Sequence, residues 1–187
     1  MSEDINGARE DVVATDTPEL QALDRARTAL RAGDGAAGEA ELAEALRINP
    51  ELPAALELRA IIACQHGDFD AGRQDFARIT ELQPDSATAW LNLGKCLRDS
   101  GDPAGAIEKL EQAAALEPEL ADAQVLLGLA LRDSGELDKA LSQLEAAVQS
   151  APQNLAGVSA LALQYQEMGQ LDKALEQFSR ARDLRQD

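Results

Sequence analysis

The sequence predicts an all-α fold in which five helical hairpins follow one another along the chain. Two observations lead to this prediction. First, aromatic residues make up only 3% of the 187 residues, while the abundant residues are Ala, Leu, Glu, Gln and Arg, which lose little conformational freedom in a helix. Second, turn-forming residues recur at a fixed interval. Because 45% of the residues are hydrophobic, the chain has enough apolar side chains to bury a core.

The interval is 34 residues, and the pentapeptide LRDSG shows it directly, since it occurs at residues 97–101 and again at 131–135. Glycines recur at this spacing, at Gly33, Gly67, Gly101, Gly135 and Gly169. Prolines recur at it as well, at Pro50, Pro84, Pro118 and Pro152. Self-similarity with a fixed period of this length is typical of repeat proteins, in which each repeat packs on its neighbours.

Each repeat divides into two amphipathic stretches, such as residues 86–100 and 103–116, with apolar side chains at helical spacing. The glycine between the two stretches can adopt the left-handed conformation that ends a helix without a Cβ clash. The proline at the end of the repeat cannot continue a helix and disfavours helical angles at the residue before it. Each repeat is therefore predicted to be a helix-turn-helix hairpin.

The chain is predicted to consist of an acidic tail and one repeat domain. Residues 1–17 hold five acidic residues, one basic residue and no apolar period, so they are predicted to be disordered. Thr17 is predicted to cap the first helix, with Pro18 at its first position. Residues 18–187 are predicted to form a single domain, with repeats at about 19–52, 53–86, 87–120, 121–154 and 155–187.

Small residues recur at two positions of the repeat, one in each helix. We call a set of positions that are 34 residues apart a slot. The first-helix slot holds Ala26, Ala60, Gly94, Gly128 and Ala162, and the second-helix slot holds Gly38, Gly72, Ala106, Ala140 and Ala174. On facing sides of a hairpin these residues would let the two helix axes approach closely. A glycine inside a helix costs about 1 kcal/mol relative to alanine, so residues 33–38 are predicted to be the loosest part of the array.

The third repeat carries a recognisable set of residues, namely Trp90, Leu93, Gly94, Leu97, Gly101, Ala106, Leu110, Ala113 and Pro118. This set resembles the signature of the tetratricopeptide repeat family. The resemblance extends from Pro18 to the end of the chain and implies a right-handed α-solenoid of five hairpins. It also implies a groove that is lined by the first helix of each repeat and binds a protein or peptide.

Ten residues of the first helices are predicted to line this groove and bind a partner. They are Leu23, Arg27, Ile61, Leu91, Lys95, Arg98, Val125, Leu129, Arg132 and Leu163. The surface mixes apolar and cationic side chains, so it would suit a peptide with apolar and acidic residues. In the alternative interpretation, the charges only pair between neighbouring repeats, Arg98 with Asp133 or Arg132 with Asp99, at less than about 1 kcal/mol for each exposed pair.

The sequence offers little from which an active site could be built, and it predicts no catalytic residue, cofactor or metal. His66, the single histidine, lies at a predicted helix end, and no residue at helical spacing from it supplies the partner that a catalytic base requires. No phosphate-binding glycine loop, nucleophile elbow or paired-histidine motif occurs. Cys64 and Cys96 lack metal-ligand spacing and are predicted to be reduced thiols that pack as small hydrophobes. The chain is therefore predicted not to be an enzyme.

Charge and targeting signals restrict the partners and the location. The formal net charge is -17, so nucleic acid and anionic membranes would be repelled, and neither is predicted as a partner. The first residues lack the basic and apolar runs of a signal peptide, which favours a cytoplasmic location. The excess of Arg over Lys, with much Ala, favours a GC-rich bacterial gene.

These observations favour a non-catalytic scaffold or adaptor that binds a peptide or a partner surface. Two alternatives remain open at this stage. The chain could be the accessory region of a larger bacterial enzyme, or a structural scaffold that assembles with itself. No solvating helix follows the fifth repeat, so its apolar face is expected to be covered by a second copy of the chain, which would make a homo-oligomer, by a partner, or by a further domain. That face would hold Leu161, Tyr165, Leu175 and Phe178.

Overall fold

A computed structural model describes residues 17–186 and forms ten helices, with no strand among these residues. The helices are α1 (Pro18–Arg31), α2 (Gly35–Ile48), α3 (Pro53–Gln65), α4 (Phe69–Leu82), α5 (Ala87–Asp99), α6 (Pro103–Leu116), α7 (Ala121–Asp133), α8 (Leu137–Ser150), α9 (Leu155–Glu167) and α10 (Leu171–Leu184). The predicted all-α hairpin fold is confirmed. The predicted tail lies outside the described residues, except for Thr17.

The turn inside each hairpin is built on a left-handed glycine, as the sequence predicts. Among residues 17–186, positive φ angles occur only at the five turn glycines, where they range from 73° to 86°. At Gly101, the amide donates to the Arg98 carbonyl at 3.0 Å, and the Asp102 amide donates to the Leu97 carbonyl at 2.9 Å. These bonds satisfy carbonyls that the end of α5 would otherwise leave unpaired.

Capping residues begin several of the second helices. Asp34, Asp68 and Asp102 each accept a hydrogen bond from the backbone amide three residues later, at 3.0, 3.1 and 2.9 Å. Such caps satisfy orphan amides of the first turn and typically stabilise a helix by about 1 kcal/mol. Thr17 occupies the cap position of α1 before Pro18, as predicted, but its side chain makes no capping hydrogen bond.

The chain divides into two compact units, and each is described by itself. The first unit ends at Ala55 and contains α1 and α2, and the second unit runs from Leu56 and contains α4 to α10 together with most of α3. The single domain over residues 18–187 stays a prediction. Within the second unit, α5 packs against α7 and α7 packs against α9, so these first helices lie side by side in chain order.

Close packing of the two helices of a hairpin depends on the small-residue slots. In the third hairpin, a Cβ added to Gly94 would lie 2.7 Å from Leu110 Cγ and 3.3 Å from the Ala106 carbonyl oxygen. In the second hairpin, a Cβ added to Gly72 would lie 2.4 Å from Cys64 Sγ. The role predicted for the small residues therefore holds in these hairpins. The side chain that fills the space comes from the second helix in one hairpin and from the first helix in the other.

Gly38 in the first unit also follows this packing rule. A Cβ at this position would lie 2.5 Å from Leu30 Cγ, so alanine does not fit here without moving Leu30. The helix-propensity cost of glycine relative to alanine was the reason to expect a weak point at Gly38. That cost does not apply directly at a position where alanine would clash. The predicted looseness of residues 33–38 stays a prediction.

Candidate functional site

A cleft of about 480 Å³ lies between α3 and α5 within the second unit. Helix α4 contributes the aromatic side chains Phe69 and Phe76, and the other lining residues come from α3 and α5. The complete lining is Ile61, Cys64, Gln65, Phe69, Phe76, Asn92, Lys95, Cys96 and Asp99. The cleft therefore combines apolar and sulfur-containing side chains with one cationic and one anionic group.

Two of the residues that the sequence predicts for partner binding, Ile61 and Lys95, come together in this cleft. Ile61 is 40% exposed, which is high for a large apolar residue in a helix. Lys95 is exposed and forms no ion pair with any of residues 17–186. A third predicted residue, Leu91, lies half-buried one helical turn before Lys95 on α5.

Two other cations of the predicted groove, Arg98 and Arg132, are paired with carboxylates. Arg98 lies 3.2 Å from Asp133 of the next repeat and 3.6 Å from Asp99, and Arg132 lies 3.5 Å from Asp133. The alternative of pairing between repeats therefore holds for Arg98 with Asp133. Of the three predicted cations on α5 and α7, Lys95 has no ion-pair partner among residues 17–186 and can attract an anionic group.

Three further predicted residues do not lie in the cleft. Val125 is 3% exposed and belongs to the core of the last two hairpins, where a Cβ on Gly157 would lie 3.1 Å from its Cγ2. Because α9 approaches so closely, Val125 offers no surface to a ligand. Leu129 packs half-buried against the same core, while Leu163 is 47% exposed on α9.

The remaining two predicted residues belong to the first unit. Leu23 is 2% exposed and is therefore a core residue, whereas Arg27 is exposed. A partner could contact Arg27 without a rearrangement of the helix, but it could not contact Leu23. A position in the first helix of a repeat is thus not by itself enough to make a side chain accessible.

The sequence analysis missed that the two cysteines meet in the cleft. Cys64 Sγ and Cys96 Sγ lie 3.5 Å apart, and Cys96 Sγ lies 3.7 Å from the Phe69 carbonyl oxygen. Both thiols are free, with Cys64 half-buried and Cys96 buried. Their separation of 32 residues is close to the repeat length, and this is the signal that could have placed them on neighbouring first helices.

The surroundings of Cys96 favour the protonated thiol. Burial raises the pKa of Cys96 from 9.0 to about 12, and the hydrogen bond with Cys64 and the negative charge of Asp99 act in the same direction. Arg73 opposes this shift and lowers the pKa. At neutral pH the Cys96 thiol is therefore a weak nucleophile and packs as a small apolar group.

A hydrogen bond ties α3 to α5 beside the cleft. Asn92 Nδ2 donates to Glu57 Oε1 at 2.9 Å, which fixes the orientation of the Asn92 amide on the cleft lining. Within the residues that the structure describes, no three His, Cys, Asp or Glu side chains are placed to hold a metal ion. Because Ile61, Phe69 and Lys95 line the cleft, it can contact an apolar side chain and a nearby charge.

The last hairpin carries the second surface considered in the sequence analysis. Leu161 and Tyr165 are buried, and the Tyr165 hydroxyl donates to Glu145 at 2.6 Å. By contrast, α10 exposes Leu171, Leu175 and Phe178 by 60%, 65% and 37%. Of the four residues predicted for this face, the two on α10 are exposed and the two on α9 are buried.

The described helices have 13 or 14 residues each, and none has the length and apolar character of a transmembrane helix, which requires about 20 residues.

Hairpins of equal length that share turn and packing slots define a helical repeat protein. A family model described as tetratricopeptide repeat matches residues 23–79, 58–110 and 97–154. These matches together cover residues 23–154, more than half of the chain, so the chain belongs to the tetratricopeptide repeat family, as the sequence predicts. Members of this family are typically non-catalytic protein-interaction modules.

Three solved structures are similar to the chain at low sequence identity. MamA from Desulfovibrio magneticus RS-1 is 23% identical, with a TM-score of 0.78 over 92% of this chain and 98% of that chain. PilW, described as a type IV pilus biogenesis factor, is 22% identical, with a TM-score of 0.82 over 92% of this chain and 80% of that chain. YrrB, described as a tetratricopeptide repeat protein with an unusual peptide-binding site, is 20% identical, with a TM-score of 0.68 over 90% of this chain and 87% of that chain.

At these identities the similarity shows the fold alone. No curated protein sequence matches the chain.

Proposed function

We propose that the protein is a non-catalytic scaffold that binds a peptide, or an exposed segment of a partner protein, in the cleft between α3 and α5. The observation that carries this proposal is an apolar cleft of about 480 Å³ with the ammonium group of Lys95 on its lining, where no residue of the described part of the chain pairs with it. Apolar pockets with a few convergent polar groups are typical of binding sites. Membership of a family of interaction modules supports the same function.

Each part of the cleft would recognise a different part of the ligand. An apolar side chain would enter against Ile61, Phe69 and Phe76, and the loss of its hydrated surface would favour binding. A carboxylate on a neighbouring ligand residue would accept a charge-assisted hydrogen bond from Lys95. The exposed amide of Gln65 could donate to and accept from the backbone of an extended peptide.

The charge of the whole protein restricts the ligand further. Lys95 is one cation in a chain of net charge -17, so a strongly acidic segment would be repelled over most of its approach. The expected ligand therefore has a single acidic residue beside an apolar one, in an otherwise neutral or basic sequence. This class of ligand is narrower than the class that the sequence alone predicts, which is any peptide with apolar and acidic residues.

A random dodecapeptide library displayed on phage tests this proposal with the full chain as bait. Peptides that bind should share an apolar residue next to Asp or Glu. Lys95→Glu should weaken a selected peptide more than tenfold, because it replaces an attraction by a repulsion. Ile61→Ala should weaken it as well, because it removes apolar contact area.

Lys139→Glu is the matched control, because it makes the same change of charge on α8, outside this cleft. Circular dichroism should show the same helix content for all variants. If the selected peptides bound equally well to the Lys95→Glu and Lys139→Glu variants, the proposed site would be wrong.

The exposed apolar face of α10 favours a second candidate function, which is assembly with another copy of the chain. Leu175 and Leu171 are exposed by 65% and 60%, and contiguous exposed apolar surface often marks an interface. Leu175→Glu should then reduce the mass measured by light scattering at high protein concentration to that of a monomer. A monomeric mass of the unmodified chain at the same concentration would exclude this function. An accessory role in a larger enzyme, and a bacterial, cytoplasmic origin, stay predictions from the sequence.

A further inference from the structure

We propose that Cys64 and Cys96 are a redox modification site, in which a reversible disulfide ties α3 to α5 and closes the cleft. The two sulfur atoms lie 3.5 Å apart, and a disulfide requires a separation of about 2.05 Å. The sulfur atoms would therefore have to approach by about 1.5 Å, which side-chain rotation and a small helix shift can supply. The disulfide follows from the cysteine geometry alone, whereas its effect on binding rests on the proposed function of the cleft.

The position of the pair makes it accessible to a small oxidant. Both cysteines line the cleft, and Cys64 is the more exposed of the two. Gly72 contributes to this arrangement, because a Cβ at residue 72 would lie 2.4 Å from Cys64 Sγ. The glycine thus leaves the space that the Cys64 sulfur occupies.

The neighbouring pairs of first helices lack this chemistry. The slot of Cys64 holds Arg98 and Arg132 in the next two repeats, and the slot of Cys96 holds Ala130 and Gln164. The same backbone packing therefore brings a thiol pair together between α3 and α5, and unreactive side chains between α5 and α7 and between α7 and α9. Oxidation would act at one defined place in the second unit.

The reaction that we propose is thiol–disulfide exchange with a low-molecular-weight disulfide such as oxidised glutathione. The Cys64 thiolate attacks one sulfur of the small disulfide, so that a mixed disulfide forms and the first small thiolate leaves. The Cys96 thiol then loses its proton to solvent and its sulfur attacks Cys64 Sγ. The mixed disulfide breaks, the second small thiolate leaves, and both departing thiolates take up protons. Two protein thiols are oxidised, and one small disulfide is reduced to two thiols.

The second step is expected to be helped by proximity. The buried Cys96 thiol is rarely ionised at neutral pH, which slows its attack. Its sulfur is nevertheless held next to the Cys64 sulfur, and reactions between groups held in contact have very high effective concentrations. The exchange should therefore end at the internal disulfide, and the mixed disulfide should not accumulate.

The disulfide would alter the cleft in two ways. It would draw the cysteine-bearing parts of α3 and α5 together, and it would prevent the two helices from moving apart to admit a side chain. We expect the oxidised protein to bind a peptide selected for this cleft at least tenfold more weakly than the reduced protein. Reduction with a small thiol should restore the binding.

The experiment incubates the full chain with oxidised glutathione and follows the product by intact mass and by peptide mapping. The expected product is a monomer that has lost two hydrogen atoms and carries a link between Cys64 and Cys96. The Cys64→Ser and Cys96→Ser variants should instead stop at a glutathione adduct or remain reduced. A stable adduct on both cysteines, or a disulfide between two chains, as the main product of the unmodified protein would overturn the proposal.

Binding measurements on the same samples separate the two proposals. Equal peptide affinity of the oxidised and reduced protein, with the internal link confirmed by mass, would overturn closure of the cleft and leave the proposed function intact. If no peptide binds the cleft at all, the proposed function fails, and the disulfide is still judged by mass alone. The double variant Cys64→Ser/Cys96→Ser should bind equally under both conditions, which controls for other effects of the oxidant.

Discussion

We call the region between the first helices of two neighbouring repeats a junction. The α3–α5 junction is open and the α7–α9 junction is filled, although the residues compared occupy equivalent slots. Cys96 and Gln164 occupy the same slot two repeats apart, and so do Phe69 and Leu137. Cys96 Sγ lies 3.7 Å from the Phe69 carbonyl oxygen, and Gln164 Nε2 donates to the Leu137 carbonyl oxygen at 3.1 Å. Gln164 is completely buried and fills its junction, whereas the shorter cysteine side chain lines an open cleft. The length of the side chain in this slot therefore contributes to whether the space between two first helices is filled or open.

The α5–α7 junction is filled in a third way. Its slot equivalent to Cys96 holds Ala130, which is even smaller, but Arg98 reaches across from α5 to Asp133 of α7 at 3.2 Å. A long cationic side chain thus occupies the surface that the thiols leave open between α3 and α5. The difference between the junctions lies in which residues span them.

The largest expected effect is a loss of stability, which should be greater for a substitution in the filled core than for one beside the open cleft. Leu144 is completely buried, and a Cβ on Gly128 would lie 2.6 Å from its Cγ. Leu144→Ala should lower the free energy of unfolding by about 3 to 5 kcal/mol, because it leaves a cavity that rigid helices cannot fill. Cys96→Ala, beside the cleft, should cost only about 1 kcal/mol, since it removes one sulfur atom. Urea denaturation measures both, and equal losses would contradict the comparison.

The pH dependence of stability tests whether the Cys96 thiol and the Tyr165 hydroxyl are buried. In the folded chain, burial raises the pKa of Cys96 from 9.0 to about 12 and that of Tyr165 from 10.0 to about 12. Above pH 9 the unfolded chain therefore binds fewer protons than the folded chain, and stability should fall as the pH rises from 9 to 12. Below pH 9 these two groups should have no effect.

Urea midpoints measured across this range provide the test. The Cys96→Ala variant should lose the part of the fall that begins near pH 9, and it should keep the part that Tyr165 contributes above pH 10. A variant whose profile matched that of the unmodified chain would show that Cys96 is not held in its protonated form.

Transfer of the filled arrangement into the open junction should abolish peptide binding. The Cys96→Gln variant would place an amide where its nitrogen can donate to the Phe69 carbonyl, as Gln164 does to Leu137. Affinity for a peptide selected on the cleft should drop at least tenfold, while the larger side chain should cost no more than about 1 to 3 kcal/mol of stability. Fluorescence anisotropy measures the affinity. Unchanged binding would show that the space around Cys96 is not used by the ligand.

The smallest expected effect concerns the ion pair between α5 and α7. The side chains of Arg98 and Asp133 are 23% and 36% exposed, so water screens their attraction. Asp133→Asn should therefore change the free energy of unfolding by less than about 1 kcal/mol. A loss above about 2 kcal/mol in urea denaturation would show that this pair holds the junction closed.

The fold could be predicted from the sequence because its signals are local and repeated. The glycine turns, the caps such as Asp102 and the small-residue slots each depend on residues within one hairpin. A left-handed turn requires glycine wherever the repeat places it. Five copies of the pattern then reinforce one another.

The site could be predicted only in part, because accessibility depends on contacts between repeats. Ile61 and Lys95 were predicted for partner binding and lie in the cleft, which stays a proposed site. Val125 was predicted for the same surface and is buried. The reason is Gly157, since the equivalent slot holds alanine in the second, third and fourth repeats and the glycine lets α9 come close to Val125. The contact between the two cysteines does not follow from the repeat, because their spacing differs from the repeat length by two residues and they occupy different slots.

The inverted small-residue slots of the second and third hairpins have a consequence for recombination among repeats. Ala60 faces Gly72 in one hairpin, whereas Gly94 faces Ala106 in the other. A hybrid that joined α3 to α6 would set Ala106 against the Cys64 sulfur and Ala60 against Leu110, whereas one that joined α5 to α4 would leave a void. Unequal crossing-over within this gene should therefore yield foldable products when the breakpoints fall between hairpins, and defective ones when they fall at the inner turns.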